Sequence, residues 1–322
     1  YDYLLWLYNR NHERNDPALI PILYRAANWN LETHENFPDI NSTSLLLKAA
    51  YLFNKIIDII HITKGINDSQ LITALYGIAN TNIQLIRPYG KINLNNINLF
   101  TGSSGNLLPK NFAGVSQSQN ATVDDINRSM PGLSRYDQQK IENLLRQQAD
   151  ANNLITNSYR SGKNALLRIV DIYENNSSLP KESYAEALTH LGDWYLRFRK
   201  GNTALAYYQK AHEVLGQDEL YSKHIEHLFG KPQLLDSIDY DTGQKQKDQG
   251  KSLEETNFAD LKFDVSESGS VKNIEIINTN PPDSVSFRRK VKDRIRFTPF
   301  RPRFENGKPV STSNVKMLYR FY

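Results

Sequence analysis

The sequence predicts an α+β multidomain chain: an all-α solenoid of helical hairpins, followed by a small α+β domain. Three observations carry this expectation. Apolar residues recur at helical spacing through most of the chain up to Gly230. A polar stretch from Asp236 to Asn257, rich in Asp, Gln, Lys and Gly, then breaks the pattern. Beyond it, apolar residues alternate with polar ones, the period of a strand with one buried face. At 322 residues the chain has room for two or three packed units of roughly 100 to 200 residues each. The expected regions are helical repeats over 1–88, an Asn/Ser/Gly-rich loop insertion over 89–133, a second helical region over 134–235, a polar linker over 236–257 and the terminal domain over 258–322.

Composition bounds the function. Hydrophobic residues make up 39% and the net charge is +4, which points neither to disorder nor to a strongly charged nucleic-acid binder. The absence of cysteine removes disulfides, thiolate metal sites and cysteine nucleophiles together. No run of about 18 apolar residues occurs: even Leu45 to Ile62 is interrupted by Lys48, Asn54, Lys55, Asp58 and His61. The chain is therefore expected to span no membrane, with a signal peptide or anchor upstream of Tyr1 left open.

In the first region, Leu19, Leu23, Ala26 and Ala27 mark one helix, and Leu46, Ala49, Phe53, Ile56 and Ile60 a second. The second is apolar on more than one side, as suits a helix buried between neighbours. A third opens at Asp68 or Ser69 as N-cap, carries Ile72, Leu75, Ala79 and Ile83, and stops before Pro88. From Ser134 helices are expected over Tyr136–Tyr159, Lys163–Glu174, Lys181–Arg199, Asn202–Leu215 and Asp218–Phe229, with breaks at Gly162, Pro180, Gly201 and Gly216. Leu188, Leu191, Gly192, Tyr195, Ala204, Tyr208 and Ala211 stand at the spacings of a 34-residue helical-hairpin consensus, in which small residues let two helices approach and large ones fill the gap. This pair resembles a tetratricopeptide repeat. Ala165, Ile169 and Ile172 match it more weakly, and extra residues around Asn175 to Pro180 disturb the period. Extension to a whole solenoid follows from the need of such units to stack. The resemblance implies a concave peptide-binding groove lined by Glu186, Thr189, Asp193, Leu196 and Arg197; structural stacking is an equally weighted reading of the same face.

In the terminal region, Leu261, Phe263 and Val265 alternate, Gly269 sits in the turn Ser266 to Ser270, and Val271 to Ile277 returns. Asp283 or Ser284 caps a helix to about Arg296 with Phe287, Val291 and Ile295 on one face. Glu305, Asn306 and Gly307 turn between Arg303-Phe304 and Lys308 to Val310, and Val315, Met317, Tyr319 and Phe321 alternate along a last strand. The segments Phe263-Asp264-Val265, Gly269 to Asn273, Phe300-Arg301-Pro302-Arg303-Phe304-Glu305-Asn306-Gly307-Lys308-Pro309-Val310 and Tyr319-Arg320-Phe321 together resemble the C-terminal domain of the TonB family, over residues 258–322. That resemblance implies a periplasmic domain that engages outer-membrane transporters by strand addition. The corresponding edge here is Asn314, Val315, Lys316, Met317, Leu318, Tyr319, Arg320 and Phe321. An unpaired strand edge is a template for another chain. The Tyr-Pro element that many members carry before the first strand is missing, as is a Pro-rich spanning segment.

Other constellations are weak. His224 and His227 lie three apart on a helix without a third ligand, and are read as solvated or helix-end histidines. Asp239, Asp241 and Gly243 open like a calcium loop but lack its closing Glu. The basic run Arg288, Arg289, Lys290, Lys292, Arg294, Arg296, Arg301 and Arg303 is read as a solvated helix face. No nucleophile elbow, phosphate-cradling loop or zinc-protease motif is present. The expectation is a non-catalytic periplasmic adaptor with no cofactor and no metal. It would bind envelope proteins, among them outer-membrane transporters or an inner-membrane motor complex, and no nucleic acid. The alternative is a TonB-type energy transducer whose anchor lies upstream of this chain. An enzyme hidden in the Asn-rich insertion or first helices is the third reading.

Overall fold

The computed structural model describes residues 10–13, 15–36, 42–86, 135–216, 219–235, 257–282 and 284–321. The Asn/Ser/Gly-rich insertion and nearly all of the polar linker lie outside them. The chain is mostly helical, with its extended sheet part at the C-terminus. The helices are α1 (Ile20–Asn36), α2 (Ser42–Lys64), α3 (Leu71–Ile86), α4 (Arg135–Glu174), α5 (Lys181–Arg197), α6 (Gly201–Leu215), α7 (Ser222–Phe229) and α8 (Val285–Phe297). The strands are β1 (Gln233–Leu234), β2 (Asn257–Val265), β3 (Val271–Asn280), β4 (Phe300–Arg301), β5 (Arg303–Glu305), β6 (Lys308–Val310) and β7 (Thr312–Phe321).

Local chemistry sets the helix ends. A 3-10 turn, Pro17–Leu19, leads into α1, and the Asp16 carboxylate accepts the Ala18 N–H at 2.8 Å. Asp68 does the same before α3, accepting the Gln70 N–H at 2.8 Å. Gly65 closes α2 at a φ of +98°, a conformation glycine adopts without the Cβ penalty, and donates its N–H to the His61 carbonyl. Consecutive helices α1 to α3 pack side by side, α3 packs on α4, and α4 on α5. A continuous core runs through this stack from Leu19 to Leu235.

Two expectations for the helices are corrected. Gly162 does not end a helix, because α4 runs unbroken over 40 residues, about 60 Å at 1.5 Å per residue. Its missing Cβ instead makes room for Trp194, since a Cβ there would lie 2.0 Å from Cη2 of that indole. Nor is α2 buried all round: Leu47, Tyr51 and Ile62 are exposed along one side, while Leu46, Ala49, Phe53, Ile56 and Ile60 face the core.

The terminal domain follows its pattern closely. Three antiparallel strands are ordered β3-β2-β7, with Leu261 opposite both Ile276 and Met317. On the central strand Ala259, Leu261, Phe263 and Val265 are all buried, and Val291 and Ile295 of α8 join them in a second core. The first strand starts at Asn257, earlier than the alternation from Leu261 indicated, because Ala259 continues the buried face. The Asp264 carboxylate braces both neighbouring strands where they kink. It accepts from Asn273 Nδ2 at 2.7 Å and from the Asn314 N–H at 2.9 Å, and both asparagines have positive φ. These bonds hold the Asp264 carboxyl below its ordinary range, the Asn273 contact first. Ser284 caps α8, its hydroxyl accepting the Phe287 N–H at 3.3 Å. Ser284→Ala is expected to cost about 1 kcal/mol, read as a lower denaturation midpoint.

Candidate functional site

The Arg-Pro-Arg-Phe segment does not float free with the terminal sheet; it is the joint to the helical body. Strand β4 pairs with β1, Gln233 opposite Arg301 and Leu234 opposite Phe300, and the Leu235 N–H donates to the Pro299 carbonyl. From β4 the Arg301 side chain enters the helical region and meets Asp193 of α5 in a two-pronged pair, Nε to Oδ1 at 2.9 Å and Nη2 to Oδ2 at 2.6 Å. Its Nη1 donates to the Leu228 carbonyl at 3.0 Å, and the Tyr208 hydroxyl donates to Asp193 Oδ1 at 2.8 Å. The two charged side chains are only 7% and 6% exposed.

Burial opposes a charge on Arg301, but the adjacent Asp193 carboxylate outweighs it and raises the guanidinium pKa. Burial, reinforced by Asp193, pushes the Tyr208 phenol well up, so it remains a donor. Every polar hydrogen bond around this pair is charge-assisted, the stronger kind. Three residues on, Phe304 of β5 is buried in the helical core, its ring 5.0 Å from that of Phe229 and edge-on to Tyr208. Two turns of the terminal domain close the contact. A Cβ on Gly269 would lie 2.0 Å from the Phe300 carbonyl and 3.3 Å from Leu196, and one on Gly307 would lie 3.4 Å from His212.

This joint fills much of the face on which the peptide groove was expected. Asp193 is covered by Arg301 rather than open to a peptide. Thr189 is buried and donates to the Ala185 carbonyl, and Leu196 is buried against the Gly269 turn. Glu186 and Arg197 remain partly exposed, with Glu186 Oε1 3.4 Å from His224 Nε2. The face of α5 that carries these residues is thus largely occupied within the chain. Arg301 also leaves the expected solvated basic run, being nearly inaccessible. The sequence signal for the joint was an Asp on the inner face of a helix-pair consensus together with an Arg between Phe300 and Phe304.

The expected strand-addition edge lies on β7. This strand pairs with β2 on one side, from Asn257 opposite Phe321 to Val265 opposite Thr312, and no other described strand lies on its far side. Val315, Met317 and Tyr319 turn toward the second core, while Asn314, Lys316 and Leu318 are exposed. Arg294 lies over the Tyr319 ring at 5.0 Å. The side chains of Arg320 and Phe321 lie outside the described residues.

His224 and His227 have ring centroids 6.4 Å apart, and among the described residues no cluster of His, Asp and Glu could hold a metal ion. Among the described residues no helix is long and apolar enough to cross a membrane. No protein-family model and no curated protein matches the chain.

Proposed function

We propose that this chain is a non-catalytic interaction protein of the Gram-negative periplasm. In this reading it is a scaffold that stacks tetratricopeptide-like hairpins into a solenoid beneath a terminal domain of TonB type, and takes up an extended segment of an envelope protein along β7. The observation that carries the reading is that, among the described strands, β7 pairs on one side only, with β2. Its outward main-chain groups can pair with a further strand, and the exposed Lys316 and Leu318 offer side-chain contacts. Joining this sheet to a helical body suits a scaffold better than an energy transducer, because a transducer needs its distal domain at the end of a spanning segment.

Photo-crosslinking side chains placed at Lys316 and at Leu318 in Gram-negative cells test this reading. The expected result is that both positions capture one and the same envelope protein, with the chain itself recovered in the periplasmic fraction. Absence of any adduct along β7 in properly exported protein, or retention of the chain in the cytoplasm, overturns it.

A further inference from the structure

The terminal sheet has a second edge, with a cation-lined groove beside it. Strand β3 pairs only with β2 among the described strands. Beside it, α8 presents Arg288, Arg289, Lys292 and Arg296 to a groove of about 550 Å³. Arg288, Lys292 and Arg296 lie four and eight residues apart, and Arg289 lies three before Lys292, so all four share one side of the helix. Two acids share the groove: Asp293, which stands 4.0 Å from Arg289, and Glu275 of β3. Among the described residues the lining thus holds four cations against two acids. Its floor is apolar, made by Ile274 and Ile276, which pack against the sheet core.

We infer that this groove is a second strand-acceptor site, built for an extended acidic peptide segment that pairs with the free edge of β3 and points alternate carboxylates at α8. From Arg288 to Arg296 the cations are spread over about 12 Å of helix, a length that about four residues of an extended chain cover. A bilayer or a flat anionic surface fits less well, because it offers no main-chain groups to β3, whose outer side is unpaired among the described strands. The site is separate from β7 and stands whether or not β7 takes a partner.

A fluorescent octapeptide of alternating threonine and glutamate, titrated against the full chain and followed by anisotropy, tests the inference. The peptide is expected to bind in a salt-sensitive manner, and the double variant Arg289→Glu, Lys292→Glu to weaken it roughly tenfold. Both side chains are exposed, so the variant retains its fold, checked by circular dichroism. A control peptide with lysine in place of glutamate is expected not to bind. Two controls carry N-methyl groups on the main-chain nitrogens of all the threonines or of all the glutamates; the N–H groups of one set face β3, so one control is expected to bind weakly and the other normally. Undiminished binding of both N-methylated peptides overturns strand pairing. Loss of binding in Lys316→Glu but not in the double variant places the peptide on β7 and overturns the site. Binding of phosphatidylglycerol vesicles that the double variant abolishes, with no peptide binding, identifies a lipid surface and also overturns it.

Discussion

Asp193→Ala is expected to destabilise the chain by about 3–5 kcal/mol, the cost of stripping a buried charge of its partner. The variant leaves the Arg301 guanidinium inside the joint with the Leu228 carbonyl still accepting from it, and frees the Tyr208 hydroxyl from the oxygen it donates to. A buried pair of this kind is not by itself strongly stabilising. Replacing both members by apolar groups is far less costly than removing one. Asp193→Ala combined with Arg301→Met is accordingly expected to be more stable than the sum of the single variants, by about 2 kcal/mol of coupling. Urea unfolding of the four proteins measures this. Strict additivity would mean that the two side chains do not share the joint. Because Phe304 remains in the helical core beside Phe229, the variants are expected to loosen the joint before they unfold the second core of the terminal domain.

Gly162→Ala is the second large effect, and its sign runs against helix propensity. In the middle of α4, alanine would be favoured over glycine by about 1 kcal/mol. The new methyl, however, would lie 2.0 Å from Trp194 Cη2. That indole cannot step aside, being 1% exposed and flanked by the rings of Phe198 at 5.2 Å and Tyr159 at 6.3 Å. Overpacking of this kind costs about 1–3 kcal/mol, so a net loss of stability is expected from thermal or urea unfolding. Gly162→Ala paired with Trp194→Phe is expected to recover part of it, since the smaller ring vacates the site of the clash. Stabilisation by Gly162→Ala alone would show that α4 and α5 do not approach as closely as described.

The extent to which these features are legible from sequence differs with the range of the interaction that sets them. The order of strand, strand, helix and strand in the terminal domain follows from the alternation at Leu261, Phe263 and Val265 and from the Ser284 cap, both local signals. The match of Gly192 to Tyr208 was also readable, since a consensus spacing encodes which small residue faces which ring. A Cβ on Gly192 would indeed lie 2.4 Å from that ring. Gly162 misled because the same residue signals a break or a close approach, and only the position of Trp194 decides between them. The fate of Asp193 was hidden for a stronger reason. Its partner lies 108 residues away, across a linker, and in isolation an Asp on that face reads as a groove residue. Likewise the basic run looked uniform, yet Arg301 sits in β4 and turns inward while the α8 cations stay outside.

Arg301 and Phe304 fix the terminal sheet to the helical body. The chain lacks cysteine, so Gln209→Cys on α6 and Lys316→Cys on β7 can carry a pair of spin labels without background. Pulsed electron–electron resonance on that pair is expected to give a single narrow distance distribution, which broadens when Arg301→Ala is added. A broad distribution in the otherwise unaltered protein, unchanged by Arg301→Ala, would show that Arg301 does not hold the sheet against the helices.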